Sequence, residues 1–377
     1  MLTLIKTKLK TLAVLLLIAA VVLVNGCTSE KPAETKSGNE PTKVVTDFLG
    51  RQVKIPLKVN RIGCLYAFSG HVVAMLGRGT DIVAVVDGLK RDKLLTEMVP
   101  SIKQALVPAS SGAINIEELI RANPDLVFVR TDTAKNPGEV EKLEKAGIPY
   151  LVVDYRNMKE QQATIEMIGR AIGEEGKAKR FITYYNDCLD LVSKRVSEIP
   201  EANRVKLYHS VNEAVRTDSR DTLPADWTQA AGAVNVSVNK QLRTDEEKSY
   251  ASLEQIFLWD PDVIIANEMG VADYIKHSPQ WSGLRAVKNN KVYQMPNGVS
   301  RWGHPGSLET PLALLWTAKI LYPERFGDID MVRETQKFYK EFWNFQISKE
   351  VADQILASEG MRISKPDKGQ VDYKNSN

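Results

Sequence analysis

Cysteine and histidine are scarce in this sequence of 377 residues, which contains three cysteines and four histidines. The cysteines form no CxxC pair and lie at no metal-binding spacing with histidine, which excludes a four-cysteine cluster and a zinc finger. A receptor for bare zinc or manganese ions usually has several histidines in a rich loop, and the sequence contains no such loop. Cys64 falls in a strand pattern and Cys188 in a helical pattern, which favours two buried thiols over a disulfide.

A strong charge of either sign is also missing. Lysine and arginine together number 50, aspartate and glutamate 47, and the formal charge is +3. Removal of the first 26 residues, which hold three lysines and no acids, would bring this charge to 0. A neutral chain argues against nucleic acid as a partner.

Sequence motifs of hydrolases are missing as well. Ser69, His71 and Asp218 supply the residue types of a catalytic triad, but no nucleophile elbow or HExxH sequence accompanies them. We therefore expect a binding protein that is not an enzyme and holds no cofactor. An extracellular enzyme or sensor domain is the alternative.

The N-terminus has the pattern of a secreted lipoprotein. Three lysines precede Leu12–Val24, an apolar stretch that is short for a membrane span and typical of a signal peptide. Val24-Asn25-Gly26-Cys27 resembles a lipobox, which predicts cleavage after residue 26 and lipidation of Cys27; a plain anchor helix is the alternative. Residues 27–43 predict a flexible tether and residues 359–377 a polar tail. The protein would then be extracytoplasmic and lipid-anchored, on the periplasmic side or at the cell surface.

Two segments of the chain repeat one pattern. In each, a glutamate (Glu117 or Glu254) precedes a Pro-Asp pair by seven residues, and four apolar residues follow that pair. The pattern predicts a short helix, a turn and a buried strand. Its recurrence predicts two lobes of similar build with a ligand cleft between them.

Apolar runs between turn residues predict further strands, at 61–65, 82–86, 126–129, 150–153, 205–208, 263–266 and 291–295. Their alternation with helical spacing predicts two doubly wound α/β lobes with mainly parallel sheets, over residues 44–156 and 200–358. Residues 157–199 show helical periodicity alone and predict a long rigid helix that joins the lobes. An aromatic stripe within 331–345 predicts packing against the lobes.

Several motifs resemble the helical-backbone class of substrate-binding proteins of ABC importers, whose members bind iron–siderophore complexes, cobalamin, haem and, in some cases, molybdate or tungstate. The resemblance covers about residues 44–358 and depends on the order of four weak motifs. These are residues 46–77, the two Glu to Pro-Asp units, Ala230–Val236 with Ala233 in place of the usual second glycine, and Ser307–Phe326.

The resemblance implies a role and partners. A monomeric protein of this class passes its ligand to a dimeric ABC permease that an ATPase drives. By position, Glu117 and Glu254 would dock onto arginines of that permease, because two carboxylates on matching helices can engage a two-fold symmetric partner.

Loops at the carboxyl ends of the strands hold many cations and flat rings. Ligands of open α/β sheets bind at such loops, arginine forks suit carboxylates and oxyanions, and rings suit chelate surfaces. We therefore predict an anionic metal chelate, and the resemblance implies that it is of the iron–siderophore, cobalamin or haem type. The expected ligand-binding residues are Tyr66, Ser69, Lys90, Arg130, Arg216, Arg220, Arg243, Arg301, Trp302 and His304.

Two alternatives concern the ligand. An oxyanion such as molybdate or tungstate needs a small pocket with backbone and hydroxyl donors, for which residues 110–112 (Ser-Ser-Gly) are the nearest candidate. His304 could instead coordinate a haem or cobalt centre axially. Otherwise we expect the chelate to hold its own metal, without a direct metal site in the protein.

Overall fold

The computed structural model describes residues 41–110, 112–245 and 248–363. The predicted signal peptide, Cys27 and most of the predicted tether lie outside these residues, as do Ser111 and residues 364–377. Within the described part of the chain, no helix combines the length and the apolar composition that a membrane span requires. The chain enters the fold through an antiparallel hairpin of β1 (Thr42–Thr46) and β2 (Gln52–Pro56).

The N-terminal lobe is built on a six-stranded sheet with the spatial order β6-β5-β4-β3-β7-β8. Its strands are β3 (Ile62–Cys64), β4 (Ile82–Val86), β5 (Leu106–Ser110), β6 (Ala113–Ile114), β7 (Leu126–Val129) and β8 (Tyr150–Val152). Every pair is parallel except β5 with β6. All residues of β3, β7 and β8 are buried, as expected for strands with helices on both faces. The four strands predicted in this lobe are confirmed.

Six helices of this lobe alternate with the strands among the described residues. They are α1 (Ala67–Val73), α2 (Asp87–Lys90), α3 (Lys93–Met98), α4 (Ile116–Ala122), α5 (Thr131–Lys135) and α6 (Pro137–Lys145). Cys64 in β3 is buried as a free thiol, and burial raises its pKa to about 12.

Two helices connect the lobes. Asn157 caps α7 (Met158–Ile172), which ends at Gly173 in the left-handed conformation (φ 77°). The next helix, α8 (Glu175–Val196), buries a stripe that recurs every three to four residues, namely Ala178, Phe181, Tyr185, Cys188, Val192 and Val196. At 1.5 Å per residue, α8 is roughly 33 Å long. The predicted helical connection is confirmed.

The C-terminal lobe is built on a seven-stranded sheet with the spatial order β12-β13-β10-β9-β14-β15, in which β11 also pairs with β9. Its strands are β9 (Lys206–Ser210), β10 (Arg216–Thr217), β11 (Val234–Asn235), β12 (Arg243–Asp245), β13 (Lys248–Tyr250), β14 (Val263–Ala266) and β15 (Val292–Gln294). The pairs among β9, β11, β14 and β15 are parallel, and those that involve β10, β12 and β13 are antiparallel. The fold is therefore α/β with mainly parallel sheets, as expected.

Helices of this half of the chain are α9 (Leu223–Ala230), α10 (Leu253–Trp259), α11 (Val271–His277), α12 (Arg285–Lys288), α13 (Thr310–Leu321), α14 (Met331–Trp343) and α15 (Lys349–Leu356). The aromatic stripe of α14 packs on the connecting helix α8. The ring centroid of Phe342 lies 5.2 Å from that of Phe181, and Phe338 lies 6.2 Å from it. The sequence predicts packing of this stripe against the lobes, and these ring contacts are with the helix that connects them.

The start of the predicted C-terminal tail contacts the N-terminal lobe. The backbone N–H of Lys93 donates to Met361 (2.9 Å), and that of Ile363 donates to Arg91 (2.9 Å). Between them, the guanidinium of Arg362 pairs with the buried carboxylate of Asp92. Residues 361–363 thus belong to the folded body.

The repeated sequence unit is a repeated structure. Asn115 caps α4 by accepting a hydrogen bond from the N–H of Glu118 (3.1 Å), and Ser252 caps α10 by accepting one from Gln255 (3.2 Å). Both helices end in the left-handed conformation, at Asn123 (φ 47°) and Asp260 (φ 41°). Left-handed caps of this kind turn the chain sharply into the strand that follows.

The aspartate of each Pro-Asp pair fixes the strand next to it. Asp125 accepts hydrogen bonds from the N–H groups of Asn60 (2.9 Å) and Arg61 (3.0 Å), just before β3. Asp262 accepts one from the N–H of Lys206 (3.0 Å), the first residue of β9. The pattern in the sequence therefore reports the same junction in both lobes.

Candidate ligand-binding site

A cavity of about 1050 Å³ lies between the two lobes. The N-terminal lobe contributes Tyr66 after β3, Arg130 after β7, and Asp154 and Tyr155 after β8. These residues follow parallel strands, whose carboxyl ends meet at one edge of the sheet. The C-terminal lobe and the connector supply the other walls through Arg216, Asp221, Thr222, Leu223, His304, Pro305, Gly306 and one face of α7.

The wall from the N-terminal lobe combines an arginine with two phenols. The guanidinium carbon of Arg130 lies 5.5 Å from the ring centroid of Tyr66, within the range of a cation–π contact. Nearby carboxylates of Asp132 (3.6 Å) and Asp154 (3.9 Å) orient the same guanidinium. The hydroxyl of Tyr66 donates to that of Tyr155 (3.4 Å), and burial raises the pKa of Tyr66 to about 12. Tyr66 is therefore a protonated phenol at neutral pH.

The wall from the C-terminal lobe places an arginine and a histidine side by side. Arg216 lies on β10, and among the described residues no carboxylate lies within 4 Å of its guanidinium. Desolvation, followed by the charges of Arg301 and Arg216, lowers the pKa of His304 well below its usual value. The imidazole is therefore neutral at physiological pH.

His304 is held between two donors. The N–H of Gly306 donates to its Nδ1 (3.0 Å), and a guanidinium nitrogen of Arg301 lies 2.7 Å from its Nε2. A neutral imidazole has a single lone-pair nitrogen, so it accepts from only one of them. Both ring nitrogens face donors of the protein, and neither presents a free N–H to the cavity.

The two walls approach each other at Gly306. A Cβ built on this glycine would lie 3.7 Å from the hydroxyl oxygen of Tyr66 and 3.6 Å from Nδ1 of His304. Tyr66, Arg130, Arg216 and His304 together line the centre of the cavity, which we call the polar centre. It is contributed by both lobes.

Four of the expected residues line the cavity, and the structure does not bring the others to it. Ser69 is fully buried and donates to the carbonyl of Tyr66 (2.7 Å). Trp302 is fully buried in the core. Arg301 lies behind His304, where Glu268 and Asn212 bind its guanidinium.

The remaining expected cations are engaged at the surface. Lys90 donates to the carbonyl of Lys103 (3.1 Å), and exposed Arg220 donates to Asn239 (2.8 Å). The guanidinium of Arg243 stacks over the ring of Tyr250 at 4.5 Å. Residues 110 and 112, the described part of the oxyanion candidate, are not among those that line the cavity.

Carboxylates pair with several of the cations in and around the cavity. The sequence predicted a cation-rich cleft and did not predict these carboxylates. Asp47 pairs with Arg51 (2.7 Å), Glu160 with Arg156 (2.7 Å), and Glu166 with Arg170 (3.5 Å). Arg130 at the polar centre also has Asp132 and Asp154 close to it, whereas Arg216 has no carboxylate within 4 Å among the described residues. Among the described residues, no group of three histidine, cysteine, aspartate or glutamate side chains is placed to hold a metal ion.

Several lining residues escaped the sequence analysis. Asp154 and Tyr155 follow β8, so the strand-end rule identifies them once that strand is extended to its loop. The α7 face, with Ala163 and Met167, and the β1–β2 turn, with Phe48 and Leu49, gave no such signal, because neither lies at the end of a parallel strand.

Comparison with known proteins identifies the family. Residues 62–298 match the family described as periplasmic binding protein. The chain belongs to this family. Its members work with ABC transporter permeases, bind small ligands outside the cytoplasm and are binding proteins rather than enzymes.

Relatives with similarity over most of their length carry different ligand names. The molybdate-binding protein MolA of Haemophilus influenzae is 26% identical over 338 residues, 80% of this chain and 91% of the relative. The uncharacterized substrate-binding lipoprotein YvrC of Bacillus subtilis is 25% identical, over 83% of this chain and 97% of its own. Relatives of 21–23% identity are named for iron(3+)-hydroxamate, Fe(3+)-citrate and vitamin B12.

Solved structures show the same fold. A periplasmic solute binding protein from Veillonella parvula has a TM-score of 0.73 and 25% identity, and the match covers 84% of this chain and 97% of that one. MolA bound to molybdate has a TM-score of 0.72 at 22% identity, with 81% and 99% covered. The chain is a substrate-binding protein of an ABC transporter.

Proposed function

We propose that this protein captures an anionic metal chelate outside the cytoplasm and delivers it to an ABC permease. The observation that carries the proposal is the cavity between the lobes, with one arginine on each wall of its polar centre. Iron–siderophore, cobalamin and haem complexes are the ligand types that combine a metal, oxygen acceptors and an extended organic surface.

The volume of the cavity supports a chelate. At about 1050 Å³ it reaches the upper end of the range of roughly 300–1,000 Å³ for sites that hold drug-sized ligands. A tetrahedral oxyanion is closer in size to a few water molecules, each of about 30 Å³ in the liquid. An oxyanion alone would leave most of this cavity to solvent.

The donors of the polar centre suit oxygen atoms. Arg130 and Arg216 present planar forks that match carboxylates and other oxyanions. The phenol of Tyr66 is protonated, with a pKa raised to about 12, and it would donate to a ligand in exchange for its long hydrogen bond to Tyr155 (3.4 Å). His304 is neutral and lines the centre as an uncharged ring, with its two ring nitrogens turned toward Gly306 and Arg301. The metal would keep the ligands of its chelator, and the protein would bind the outside of the complex.

A second candidate ligand is an oxyanion of molybdate or tungstate type. The observation that favours it is the similarity to MolA, which is named for molybdate and shares the fold over most of both chains. Such an ion would occupy the polar centre alone, with hydrogen bonds from Arg130, Arg216 and Tyr66 and with His304 beside it. Axial coordination of a metal by His304 is a variant of the chelate proposal.

Docking to the permease would use the repeated units. Glu117 and Glu254 are both exposed in the first turns of α4 and α10. A hydrogen bond from Ser252 lowers the pKa of Glu254, which keeps that carboxylate charged. The same proposal places a lipid anchor on Cys27, a monomeric binding protein at the membrane, and an ATPase behind the permease dimer.

Thermal unfolding of the full chain in detergent, followed by tryptophan fluorescence, tests the ligand class. The panel contains ferric hydroxamate, catecholate and citrate complexes, cobalamin, cobinamide, haem, molybdate and tungstate. A ligand at 100 times its Kd adds about 2.7 kcal/mol, which raises Tm by a few degrees. A shift with a chelate supports the proposal, and a shift with molybdate or tungstate alone contradicts the chelate in favour of the second candidate. No shift with any of them contradicts both.

A further inference from the structure

The cavity extends well beyond its polar centre, along the connecting helix α7. Glu160, Ala163, Thr164, Glu166, Met167 and Arg170 of this helix all line it. Residues 160 and 170 are ten positions apart, which corresponds to roughly 15 Å along a helix that rises 1.5 Å per residue. The β1–β2 turn also lines the cavity, through Thr46, Asp47, Phe48 and Leu49. We call the space between the turn and α7 the side channel.

The turn that forms this wall is held in place by a buried carboxylate. Asp47, only 6% exposed, accepts hydrogen bonds from the N–H groups of Leu49 (3.0 Å), Arg51 (3.0 Å) and Val152 (3.1 Å). It also accepts two from the guanidinium of Arg51 (2.9 and 2.7 Å). The N–H of Phe48 donates to the carbonyl of Val152 (3.1 Å), which ties the turn to the end of β8. The turn is thus a fixed wall of the cavity.

Apolar side chains face the side channel from both sides. Leu49 is 43% exposed on the fixed turn, although burial of apolar surface is favourable. Ala163 of α7 lines the same cavity and is exposed, and Met167 of this helix is a buried lining residue. The charges along this stretch of α7 are paired, Glu160 with Arg156 and Glu166 with Arg170. The side channel therefore offers apolar contact beside charges that neutralise one another.

We propose that the ligand has two parts, an anionic metal centre at the polar centre and an uncharged, apolar arm that lies in the side channel against Leu49, Phe48 and Ala163. The inference depends on the proposed function, because the metal centre is the anionic chelate proposed above. It narrows the ligand class to chelates with an acyl or similar aliphatic arm. It also assigns Leu49 and Ala163 as residues that set specificity for that arm.

Two probes that differ only in the arm test this proposal. They are the ferric complexes of a citrate-derived hydroxamate chelator carrying either an acetyl or an octanoyl group at the same nitrogen. Titration calorimetry on the full chain in detergent gives the ratio of the two affinities. We expect the octanoyl complex to bind about tenfold tighter or more, an effect that burial of roughly two methylene groups is enough to produce.

Three variants locate the effect. Leu49→Ser removes the apolar contact and Ala163→Glu places a carboxylate in the side channel, and each should bring the affinity ratio close to one. Leu57→Ser is the matched control, because Leu57 is 49% exposed just after β2 and does not line the cavity. This control should keep the ratio of the unmodified chain.

The possible results distinguish a failure of the arm proposal from a failure of the proposed ligand class. Equal affinities of the two complexes for the unmodified chain would overturn the side channel as an arm site while leaving the proposed function intact. A preference that persists in both Leu49→Ser and Ala163→Glu would overturn it too. Binding of neither complex would overturn the arm proposal, whereas a thermal shift with cobalamin, haem or another chelate of the panel would leave the proposed function intact.

Discussion

The two lobes share a helix–turn–strand unit, but they build their walls of the cavity from different parts of their sheets. In the N-terminal lobe, Tyr66, Arg130 and Tyr155 all follow parallel strands, so one edge of the sheet brings them together. In the C-terminal lobe, Arg216 comes from the antiparallel strand β10 and His304 from the long loop before α13. The repeated unit gives both lobes the same helix–turn–strand arrangement. Residues outside this unit determine which side chains line the cleft.

The difference explains where positive charge remains for a ligand. Arg130 shares its wall with Asp132 and Asp154, whereas Arg216 has no carboxylate within 4 Å among the described residues. The C-terminal wall is therefore the more positive one at the polar centre. We expect it to contribute more of the affinity for an anion, and the N-terminal wall to contribute more of the orientation.

The largest effect is expected at Glu117 and Glu254, which occupy the same position in the two repeated helix–turn–strand units. Reversal of both docking carboxylates, Glu117→Lys with Glu254→Lys, should abolish uptake in cells that hold the cognate permease, because like charges would then face each other across the interface. Each single reversal should leave part of the uptake. Uptake of the radiolabelled metal complex is the measurement.

The control for docking reverses two other exposed carboxylates. Glu141 and Glu198 have side chains that are 63% and 81% exposed, and Glu141→Lys with Glu198→Lys should leave uptake unchanged. Ligand affinity of the purified chain should be the same in both double variants. Uptake that survives the reversal at Glu117 and Glu254 would contradict the docking role.

A smaller effect on stability is expected at the aspartates of the two Pro-Asp pairs, and it should differ between the two lobes. Asp125 accepts two backbone N–H groups, whereas Asp262 accepts one and also pairs with Arg285 at the surface (2.8 Å). Because an exposed ion pair adds little stability, Asp125→Ala should destabilise the fold more than Asp262→Ala. At about 1 kcal/mol per hydrogen bond, we expect losses of about 2 and 1 kcal/mol in urea unfolding. The exposed Asp273 on α11, whose side chain is 76% exposed, is the control. Equal losses at all three positions would show that the junctions are not what the aspartates stabilise.

The smallest effect concerns His304 and depends on pH. Its pKa is lowered in the folded chain by desolvation and by Arg301, while the unfolded chain has a histidine pKa near 6.5. The unfolded state therefore binds the proton more readily, and this contribution to stability is complete above about pH 6.5 and falls as the pH is lowered toward the folded pKa. The slope should approach about 1.4 kcal/mol per pH unit at most.

Comparison of two histidine variants isolates that contribution. His304→Gln should flatten the dependence of the free energy of unfolding on pH between roughly 6.5 and 5. His277→Gln, at an exposed position at the end of α11, should leave the slope unchanged. A slope that is the same in His304→Gln and in the unmodified chain would contradict the neutral, desolvated state of His304.

Hydrophobic periodicity predicted the fold well, because a helix face or a strand is buried along its whole length and leaves a regular apolar pattern in the sequence. The buried runs of β7 and β14 and the apolar stripe of α8 appear directly in the sequence. The antiparallel strands β10, β12 and β13 are only two or three residues long, so their alternation was too short to recognise. The parallel strands and the antiparallel strand β10 nevertheless both contribute residues to the cleft.

Side-chain direction within loops could not be predicted. Trp302 and His304 are two positions apart in one loop, yet Trp302 enters the core and His304 faces the cavity, because a loop has no period that separates its faces. Arg301 was expected in the cleft, but Glu268 and Asn212 hold it behind His304. These partners are far from Arg301 in sequence, and only the fold shows that they meet.

Affinity measured on matched arginine variants tests the central claim that both lobes bind one anionic metal chelate. Titration calorimetry would use the chelate that gives the largest thermal shift, with Arg130→Ala and Arg216→Ala in the cavity and Arg220→Ala and Arg243→Ala outside it. We expect each cavity variant to lose about tenfold to a hundredfold in affinity, as for a lost charge-assisted hydrogen bond. Both outer variants should bind the chelate with the affinity of the unmodified chain. Unchanged affinity in either cavity variant, or an equal loss in the outer ones, would contradict the claim.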